Sequence, residues 1–94
     1  MEIKHQLVGN KGSFYIEQEG IRVAEMEYSR AADHRLIISH TEVSEVLKGK
    51  GAGKQLVAAA VEHARTNHIK ILPLCPFARS VFEKVPEFGD VWDH

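Results

Sequence analysis

The sequence predicts an α+β (mixed α/β) fold in which an antiparallel β-meander is followed by a helix, a strand and a second helix. Up to Val43 the chain alternates apolar and polar residues in short runs separated by glycine-containing turns, which is typical of half-buried antiparallel strands. From Ala52 onward apolar residues recur every three or four positions, which indicates an amphipathic helix. A short apolar segment and a proline-led helix complete the order β-β-β-β-α-β-α, with one crossover connection.

Four strands are predicted in the first half of the chain, at residues 3–8, 13–17, 21–29 and 35–43. In the second of these strands Phe14 and Ile16 share one face, which is expected to face the core. The turn 18–20 ends in Gly20, which supplies the positive φ that a tight hairpin needs. Residues 30–34 are expected to connect the third and fourth strands.

The second half predicts a helix from Ala52 to about Asn67. Its inward face is formed by apolar residues at helical spacing, namely Leu56, Val57, Ala60, Val61 and Ala64. Asn67 is expected to end this helix in the left-handed conformation. A short strand at 69–74 contains Pro73, which lacks an N–H group and therefore predicts a sheet edge or a splayed strand. A second helix is expected to begin near Pro76.

Length, charge and cysteine content narrow the class of protein. The 94 residues are expected to form one domain, 1–94, with an adequate but thin core. The net charge of −1 disfavours a nucleic-acid-binding surface, which is normally strongly basic. Cys75 stands alone and cannot form an intrachain disulfide, and no apolar run is long enough to span a membrane. Because the chain also starts without a signal peptide, we expect a cytoplasmic protein with no nucleic-acid or membrane partner.

The segment LKGKGAGKQL at residues 47–56 is the most informative part of the chain. Its glycines alternate with lysine or alanine directly before the predicted helix, so backbone N–H groups at a helix N-terminus can approach an anion closely. The Walker A motif fails because Gln55 stands where serine or threonine is required. The Rossmann fingerprint fails because its third glycine comes one residue too early. A plain glycine- and lysine-rich surface loop remains the alternative.

The same segment fits the pattern (Arg/Gln)-x-x-Gly-x-(Gly/Ala), with which GCN5-related N-acetyltransferases (GNATs) hold the pyrophosphate of coenzyme A. Lys48 stands at the Arg/Gln position, and Gly51 and Gly53 stand at the two glycine positions. Further on, the run ARSVFEK at 78–84 resembles the family segment N-x-x-A-x-x-L-Y-E-K-x-G-F. The runs HTEV (40–43), GKG (49–51) and LCP (74–76) are similar to those of a short bacterial-type subgroup of this family.

The resemblance to the GNAT family covers roughly residues 13–88 and implies a truncated GNAT-like fold that binds acetyl-CoA. In this family the fourth and fifth strands splay apart and the acyl-pantetheine inserts between them. The resemblance implies coenzyme contacts from the end of the fourth strand and the loop after it: Val43, Lys48, Gly49, Lys50, Gly51, Ala52, Gly53 and Lys54. The coenzyme phosphates would meet N–H groups of residues 50–54, so a side chain added at Gly51 or Gly53 is expected to occupy phosphate space.

Two departures from the family pattern bear on the reaction. The pair of helices that usually walls the acceptor site between the first two strands is missing, so the acceptor can be described only as a small-molecule or protein amine. Phe82 stands where the family commonly has a tyrosine that protonates the leaving thiolate, and phenylalanine cannot donate a proton. The family's standard transfer mechanism therefore cannot be assumed for this chain.

Cys75 and His40 are the candidates for an alternative mechanism. Cys75 precedes the helix N-terminus at Pro76, which lowers a thiol pKa, and His40 lies late on the fourth strand, so both are expected to face the thioester. Acetyl transfer to Cys75 with His40 as proton relay would need no tyrosine. Glu42, on the same face as His40, is an alternative general base. The non-catalytic alternatives are that Cys75 only packs in the core, that His40 is hydrogen-bonded on a sheet face, and that Glu42 is simply solvated. No metal site is predicted.

Two functions from different classes stay open on the sequence. The first is an acetyltransferase that passes acetyl from acetyl-CoA to an unknown acceptor, directly or through Cys75. The second is a non-catalytic module that binds or senses acyl-CoA, which the missing acceptor wall and Phe82 favour. A nucleotide-phosphate binder that uses only the glycine loop is a weaker third possibility.

Overall fold

The computed structural model describes residues 1–32 and 34–94 as five strands and two α-helices with two short 3-10 helices. The strands are β1 (Lys4–Val8), β2 (Lys11–Gln18), β3 (Ile21–Ala31), β4 (Arg35–Val43) and β5 (Lys70–Pro73). The helices are α1 (Ala52–Asn67) and α2 (Pro76–Lys84), and the 3-10 helices are Glu45–Leu47 and Pro86–Val91. The predicted α+β order is confirmed. Asp33, in the expected connection, lies outside the described residues, and β3 extends to Ala31, further than predicted.

All five strands lie in one sheet in sequence order. β1 to β4 form an antiparallel meander, and β5 pairs in parallel with β4 after the crossover through α1. The β2–β3 hairpin turns at Glu19 and Gly20, which both have positive φ (52° and 78°), the backbone geometry that matches the twist of the flanking strands. Pro73 lies on an edge strand, as its missing N–H group predicts.

A β-bulge interrupts β4 in its middle. Leu36 and Ile38 are fully buried, and strict alternation along the strand would turn His40 to the same face. Consecutive residues of β3 pair with Ile38 and His40, so Ser39 is an extra residue without a partner in the register. The alternation between the two faces is therefore inverted from this point on.

The bulge decides which side chains continue the core face of β4. Thr41 lies opposite the buried Met26, and Val43 lies opposite the buried Ala24. Because cross-strand partners share one face of a sheet, Thr41 and Val43 point to the core side. His40 is turned to the other face, which neither helix covers.

One hydrophobic core lies between the sheet and the two helices. On α2 the buried ring of Phe82 packs against Phe88 and Trp92, with ring centroids 6.0 and 5.7 Å apart. Trp92 also bridges to Ile71, and the N–H group of Asp93 donates to the carbonyl of Ile71 at 2.8 Å. The segment after α2 therefore covers the outer edge of β5.

α1 ends at Asn67 as predicted, but the residue in the left-handed conformation comes one position later than expected. His68, rather than Asn67, adopts the left-handed conformation, with φ of 56°. The side-chain amide of Asn67 donates to the carbonyl of His63 at 2.9 Å, one turn back. This bond retains Asn67 in the last helical turn, so the stop passes to the next residue.

The two helices meet where Gly53 of α1 faces the ring of Phe77 of α2. A Cβ atom at Gly53 would overlap ring atoms of Phe77, so the close approach requires glycine. Phe77 is still 42% exposed, because the ring extends from this contact toward the surface. The glycine is thus part of the packing between the helices.

An aromatic cluster with two histidines joins β1 to α1. The ring of His5 stacks on Phe14 with centroids 4.2 Å apart, and its Nε2 lies 2.5 Å from the hydroxyl of Tyr28. The ring of His63 meets His5 edge-on at 4.8 Å, and His63 Nε2 is buried without a hydrogen-bond partner among residues 1–32 and 34–94. Burial lowers the pKa of both histidines, and the pKa of His63 is lowered further by His5 and Arg30.

We expect the free energy of unfolding to decrease as the pH falls below the ordinary histidine pKa of about 6.5. A lowered pKa in the folded state means that the unfolded chain binds more protons at His5 and His63, so this contribution is complete above that pH and is lost below it. Urea unfolding between about pH 8 and about pH 5 measures the dependence. His63→Phe should flatten it, and an unchanged slope in that variant would contradict the assignment.

We also expect Gly53→Ala to have opposite effects in two backgrounds. In the parent chain it should destabilise the fold, because the new methyl group overlaps Phe77. In Phe77→Ala it should stabilise the fold by about 0.5 kcal/mol, the usual gain when alanine replaces glycine in a helix. Urea unfolding of the four variants gives the coupling, expected at about 1 kcal/mol or more. Gly89→Ala is the control, because no atom lies within 4 Å of its Cβ position; zero coupling would refute the contact.

Candidate functional site

β4 and β5 separate at Ile38, the last residue of their paired register. The carbonyl of Ile38 accepts the N–H groups of Leu74 and Cys75 at 3.0 and 3.1 Å. Beyond this point the chain after β5 turns into α2, whereas β4 runs on to Val43. The splay expected at Pro73 is therefore present, and it opens one end of the sheet.

The loop after β4 has a fixed backbone shape. Ser44 begins it by accepting the N–H group of Val46 on its side-chain oxygen at 3.4 Å, and the buried Leu47 anchors it to the core. Gly49 and Gly51 have φ values of 79° and 71°, in the left-handed region. No atom lies within 4 Å of a Cβ placed on either residue, so backbone conformation, and not lack of space, favours glycine at both positions.

Free N–H groups of this loop lie in the first turn of α1, residues 52–54. Helical N–H groups in that turn have no carbonyl acceptor before them, and the first intrahelical bond runs from Gln55 N–H to Gly51 O at 3.0 Å. The N–H group of Lys50, in contrast, donates to Leu47 O at 3.2 Å. Of the N–H groups at 50–54 that were expected to bind an anion, that of Lys50 is therefore already used within the loop.

A cleft of about 480 Å³ lies between this loop and α2. Six of the eight residues predicted to contact the coenzyme line it: Val43, Lys48, Gly49, Gly51, Gly53 and Lys54. Lys50 and the buried Ala52 do not line it. The expectation that a side chain at Gly53 would fill phosphate space is corrected, because a Cβ atom at Gly53 points at the ring of Phe77 instead.

The opposite wall of the cleft comes from α2 and was missed by the sequence interpretation. Phe77, Ser80, Val81 and Lys84 line it. Their spacing of three, one and three residues places them on one face of the helix. This helical spacing is visible in the sequence and could have predicted the wall. The resemblance of residues 78–84 to the family segment was interpreted instead in terms of core residues.

The lysines around the cleft are not neutralised by the protein. Lys48, Lys54 and Lys84 make no ion pair or side-chain hydrogen bond within the described part of the chain. Other cations are paired with carboxylates, namely Lys4, Arg22, Arg35, Arg65 and Arg79. Unpaired positive charge around a partly apolar cleft attracts an anionic ligand such as a phosphate.

Cys75 is the N-cap of α2, is 7% exposed, and places its Sγ 3.4 Å from Oγ1 of Thr41. Burial alone would raise the pKa of the Cys75 thiol. Hydrogen bonds from the Thr41 hydroxyl and from the N–H groups of Ala78, Phe77 and Thr41 outweigh burial, so this pKa lies below the ordinary thiol value. Cys75 and Thr41 each lie two positions before a residue that lines the cleft.

The structure does not bring His40 to Cys75. The bulge at Ser39 turns His40 to the open face, where its side chain is 55% exposed and its Nε2 lies 3.5 Å from Oε2 of Glu42. The predicted pairing of His40 with Glu42 on one face is therefore present. The place beside the thiol that the sequence interpretation gave to His40 belongs to Thr41.

Residues 1–32 and 34–94 contain no cluster of three or more histidine, cysteine or acidic side chains that could hold a metal ion. Among the helices of the same residues, none has the length and apolarity needed to cross a membrane.

Comparison with known proteins agrees with this geometry. A family model described as GCN5-related N-acetyl-transferase matches residues 13–91. The solution NMR structure of a GCN5-like candidate N-acetyltransferase from Staphylococcus aureus is 42% identical, with a TM-score of 0.75 over 98% of this chain and 87% of that chain. No curated protein sequence matches this chain.

More distant solved structures share the fold. A predicted acetyltransferase from Clostridium acetobutylicum, solved with acetyl-CoA, is 15% identical with a TM-score of 0.64, over 80% of this chain and 56% of that chain. GCN5 from Tetrahymena is 16% identical with a TM-score of 0.66, over 82% of this chain and 51% of that chain. This chain therefore spans about half the length of these two proteins.

The fold, the splayed strands and the glycine loop agree with a family match that covers most of the chain. The close relative from Staphylococcus aureus extends the same similarity to nearly every residue. This chain belongs to the GCN5-related N-acetyltransferase family and is an acetyltransferase with acetyl-CoA as its co-substrate.

Proposed function

We propose that this protein transfers acetyl from acetyl-CoA to an amine in two steps, with Cys75 as the intermediate acceptor. The observation that carries this proposal is the position of the Cys75 thiol, 3.4 Å from the Thr41 hydroxyl at the N-terminal end of α2. A thiol with a lowered pKa next to the coenzyme cleft has the properties of an activated nucleophile. We infer a cytoplasmic location, because a lone catalytic thiol needs a reducing compartment.

Coenzyme A fits the cleft in one orientation. Its pyrophosphate accepts N–H groups from the first turn of α1, where the helix dipole also favours negative charge. Lys48 and Lys54, which line the same part of the cleft, supply positive charge. The pantetheine arm then passes between Val43 and Phe77 toward the gap between β4 and β5, which brings the thioester to Cys75.

In the first step the thiolate of Cys75 attacks the carbonyl carbon of acetyl-CoA. A bond forms from Sγ to the acetyl carbon, the bond from that carbon to the coenzyme sulfur breaks, and the coenzyme leaves as a thiolate. The proton lost by Cys75 balances the proton gained by coenzyme A, so the exchange needs no tyrosine acid. This agrees with Phe82, whose ring is buried against Phe88 and Trp92 and offers no proton.

In the second step an amine nitrogen attacks the acetyl carbon on Cys75. The bond from that carbon to Sγ breaks and the thiolate is regenerated. The amine approaches from the open face through the gap between β4 and β5, and its proton passes to the His40–Glu42 pair on that face as general base. Glu27 lies opposite His40 on the same open face and adds negative charge to that of Glu42, whereas Glu25 is paired with Arg22 at 3.0 Å. The charge of Glu27 and Glu42 favours a cationic amine. A hollow of about 160 Å³ beside Glu42 offers space for its approach.

We expect the protein mixed with acetyl-CoA to gain one acetyl group that hydroxylamine removes, because a thioester is cleaved by this nucleophile and an amide is not. Intact-mass spectrometry measures the adduct. Cys75→Ala should lose the adduct and still bind coenzyme A, because the phosphate contacts lie on the loop. Equal labelling of Cys75→Ala would rule out the covalent route. Binding without adduct or turnover in the parent would favour the non-catalytic acyl-CoA module instead.

We further expect Thr41→Val to slow acetylation of Cys75 by about tenfold, because a hydrogen bond to the thiolate is lost at nearly constant side-chain volume. The same variant should move the pH midpoint of iodoacetamide alkylation upward, and Thr41→Ser should restore both. His40→Gln should leave formation of the adduct unchanged and slow transfer from the adduct to an amine by about 10². If His40→Gln slows adduct formation more than Thr41→Val does, the assignment of the two residues is wrong.

A further inference from the structure

We propose that Lys84 binds the 3′-phosphate of coenzyme A and makes this protein prefer 3′-phosphorylated coenzymes over 3′-dephospho-CoA. The inference rests on the proposed function, because it assigns a part of the coenzyme to one end of the same cleft. It makes Lys84 a specificity-determining residue that takes no part in the chemical step.

The direction of α2 gives the cleft two distinct ends. The helix begins at Pro76, beside Cys75, and ends at Lys84. Phe77 and Lys84 lie on one face of it and both line the cleft. At about 1.5 Å of rise per residue they are about 10 Å apart along the helix axis. Lys84 therefore marks the end of the cleft that is remote from the thiol.

The covalent order of coenzyme A assigns its parts to these ends. Once the thioester lies at Cys75 and the pyrophosphate lies at the first turn of α1, the rest of the molecule continues away from Cys75. That rest is an adenosine whose ribose carries the 3′-phosphate. The lining of the cleft includes the apolar side chains of Leu47 and of Val81, one turn before Lys84, which suit the ring and the sugar. A phosphate beyond them requires a cation.

Lys84 is the donor that α2 can offer to this phosphate. The hydroxyl of Ser80, which also lines the cleft, donates to the carbonyl of Phe77 at 2.7 Å and is therefore used within the helix. The positions three and four residues before Lys84 are Val81 and Ser80, so no carboxylate on this face competes for its ammonium group. Within the described residues Lys84 makes no ion pair.

A purely structural role for Lys84 is the alternative that must be distinguished from phosphate binding. A cation in the last turn of a helix also stabilises the helix through its dipole. Removal of the charge would then weaken binding of every coenzyme analogue alike, or of none. The two explanations differ only in whether the effect depends on the 3′-phosphate, so a ligand that lacks this group distinguishes them.

Isothermal titration calorimetry with coenzyme A and with 3′-dephospho-CoA tests the proposal at one fixed ionic strength. The parent should bind coenzyme A about tenfold more tightly than dephospho-CoA, the size expected of one charged contact that solvent partly screens. Lys84→Gln should weaken coenzyme A by about tenfold and dephospho-CoA by less than about twofold. Lys84→Arg should keep the preference. Arg79→Gln, with the same charge change on the same helix but outside the cleft, should keep it too.

Equal affinity of the parent for the two ligands would overturn the proposal and leave the proposed function standing. An equal loss for both ligands in Lys84→Gln would also overturn it, in favour of the helix-end role. A lost preference in Arg79→Gln would assign the effect to the overall charge of α2. Failure of the parent to bind either ligand would refute the proposed function itself. Thermal unfolding of each variant checks that the fold is kept, and Lys84→Arg keeps the comparison valid if Lys84→Gln unfolds.

Discussion

The carbonyl group of Ile38 is the point on which the site depends. It accepts the N–H groups of Leu74 and Cys75 and thereby ends the parallel pairing of β4 and β5. Pro73, which has no N–H group, is the last residue of β5, and α2 begins three residues later at Pro76. The same geometry opens the gap for the pantetheine arm, makes Cys75 the N-cap of α2 and starts the wall of the cleft. Two hydrogen bonds to one carbonyl oxygen therefore connect the end of the sheet to Cys75.

Sequence patterns predicted the elements well because each is a local property. Helix periodicity, the turn at Gly20 and the glycine loop all depend on neighbours within a few residues. The bulge at Ser39 was not predictable in the same way, because it is a property of the register between β3 and β4. A single extra residue in one strand exchanged the faces of His40 and Thr41. The sequence interpretation found the correct segment of β4 and the wrong side chain for the thiol.

The glycines of the loop show a second limit of local patterns. Gly51 and Gly53 fill equivalent places in the family pattern, yet they are glycine for different physical reasons. Gly51 needs its positive φ, whereas Gly53 has a helical backbone and needs the absence of a side chain against Phe77. A motif gives the residue type but not the neighbour that requires it. The cleft-lining face of α2 was missed for the same reason, since the loop that it faces across the cleft lies elsewhere in the sequence.

The last residues of the chain have a consequence for how the sheet can be extended. Trp92 and Asp93 lie along the outer side of β5, and Arg65 holds the neighbouring Asp90 through two bonds of 2.9 Å to its carboxylate. A strand edge that is occupied by its own chain cannot pair with a strand from another molecule. β1, with its exposed Val8, forms the opposite margin of the sheet. Growth by strand addition, whether in assembly or in aggregation, is thereby directed to the margin farthest from the coenzyme cleft.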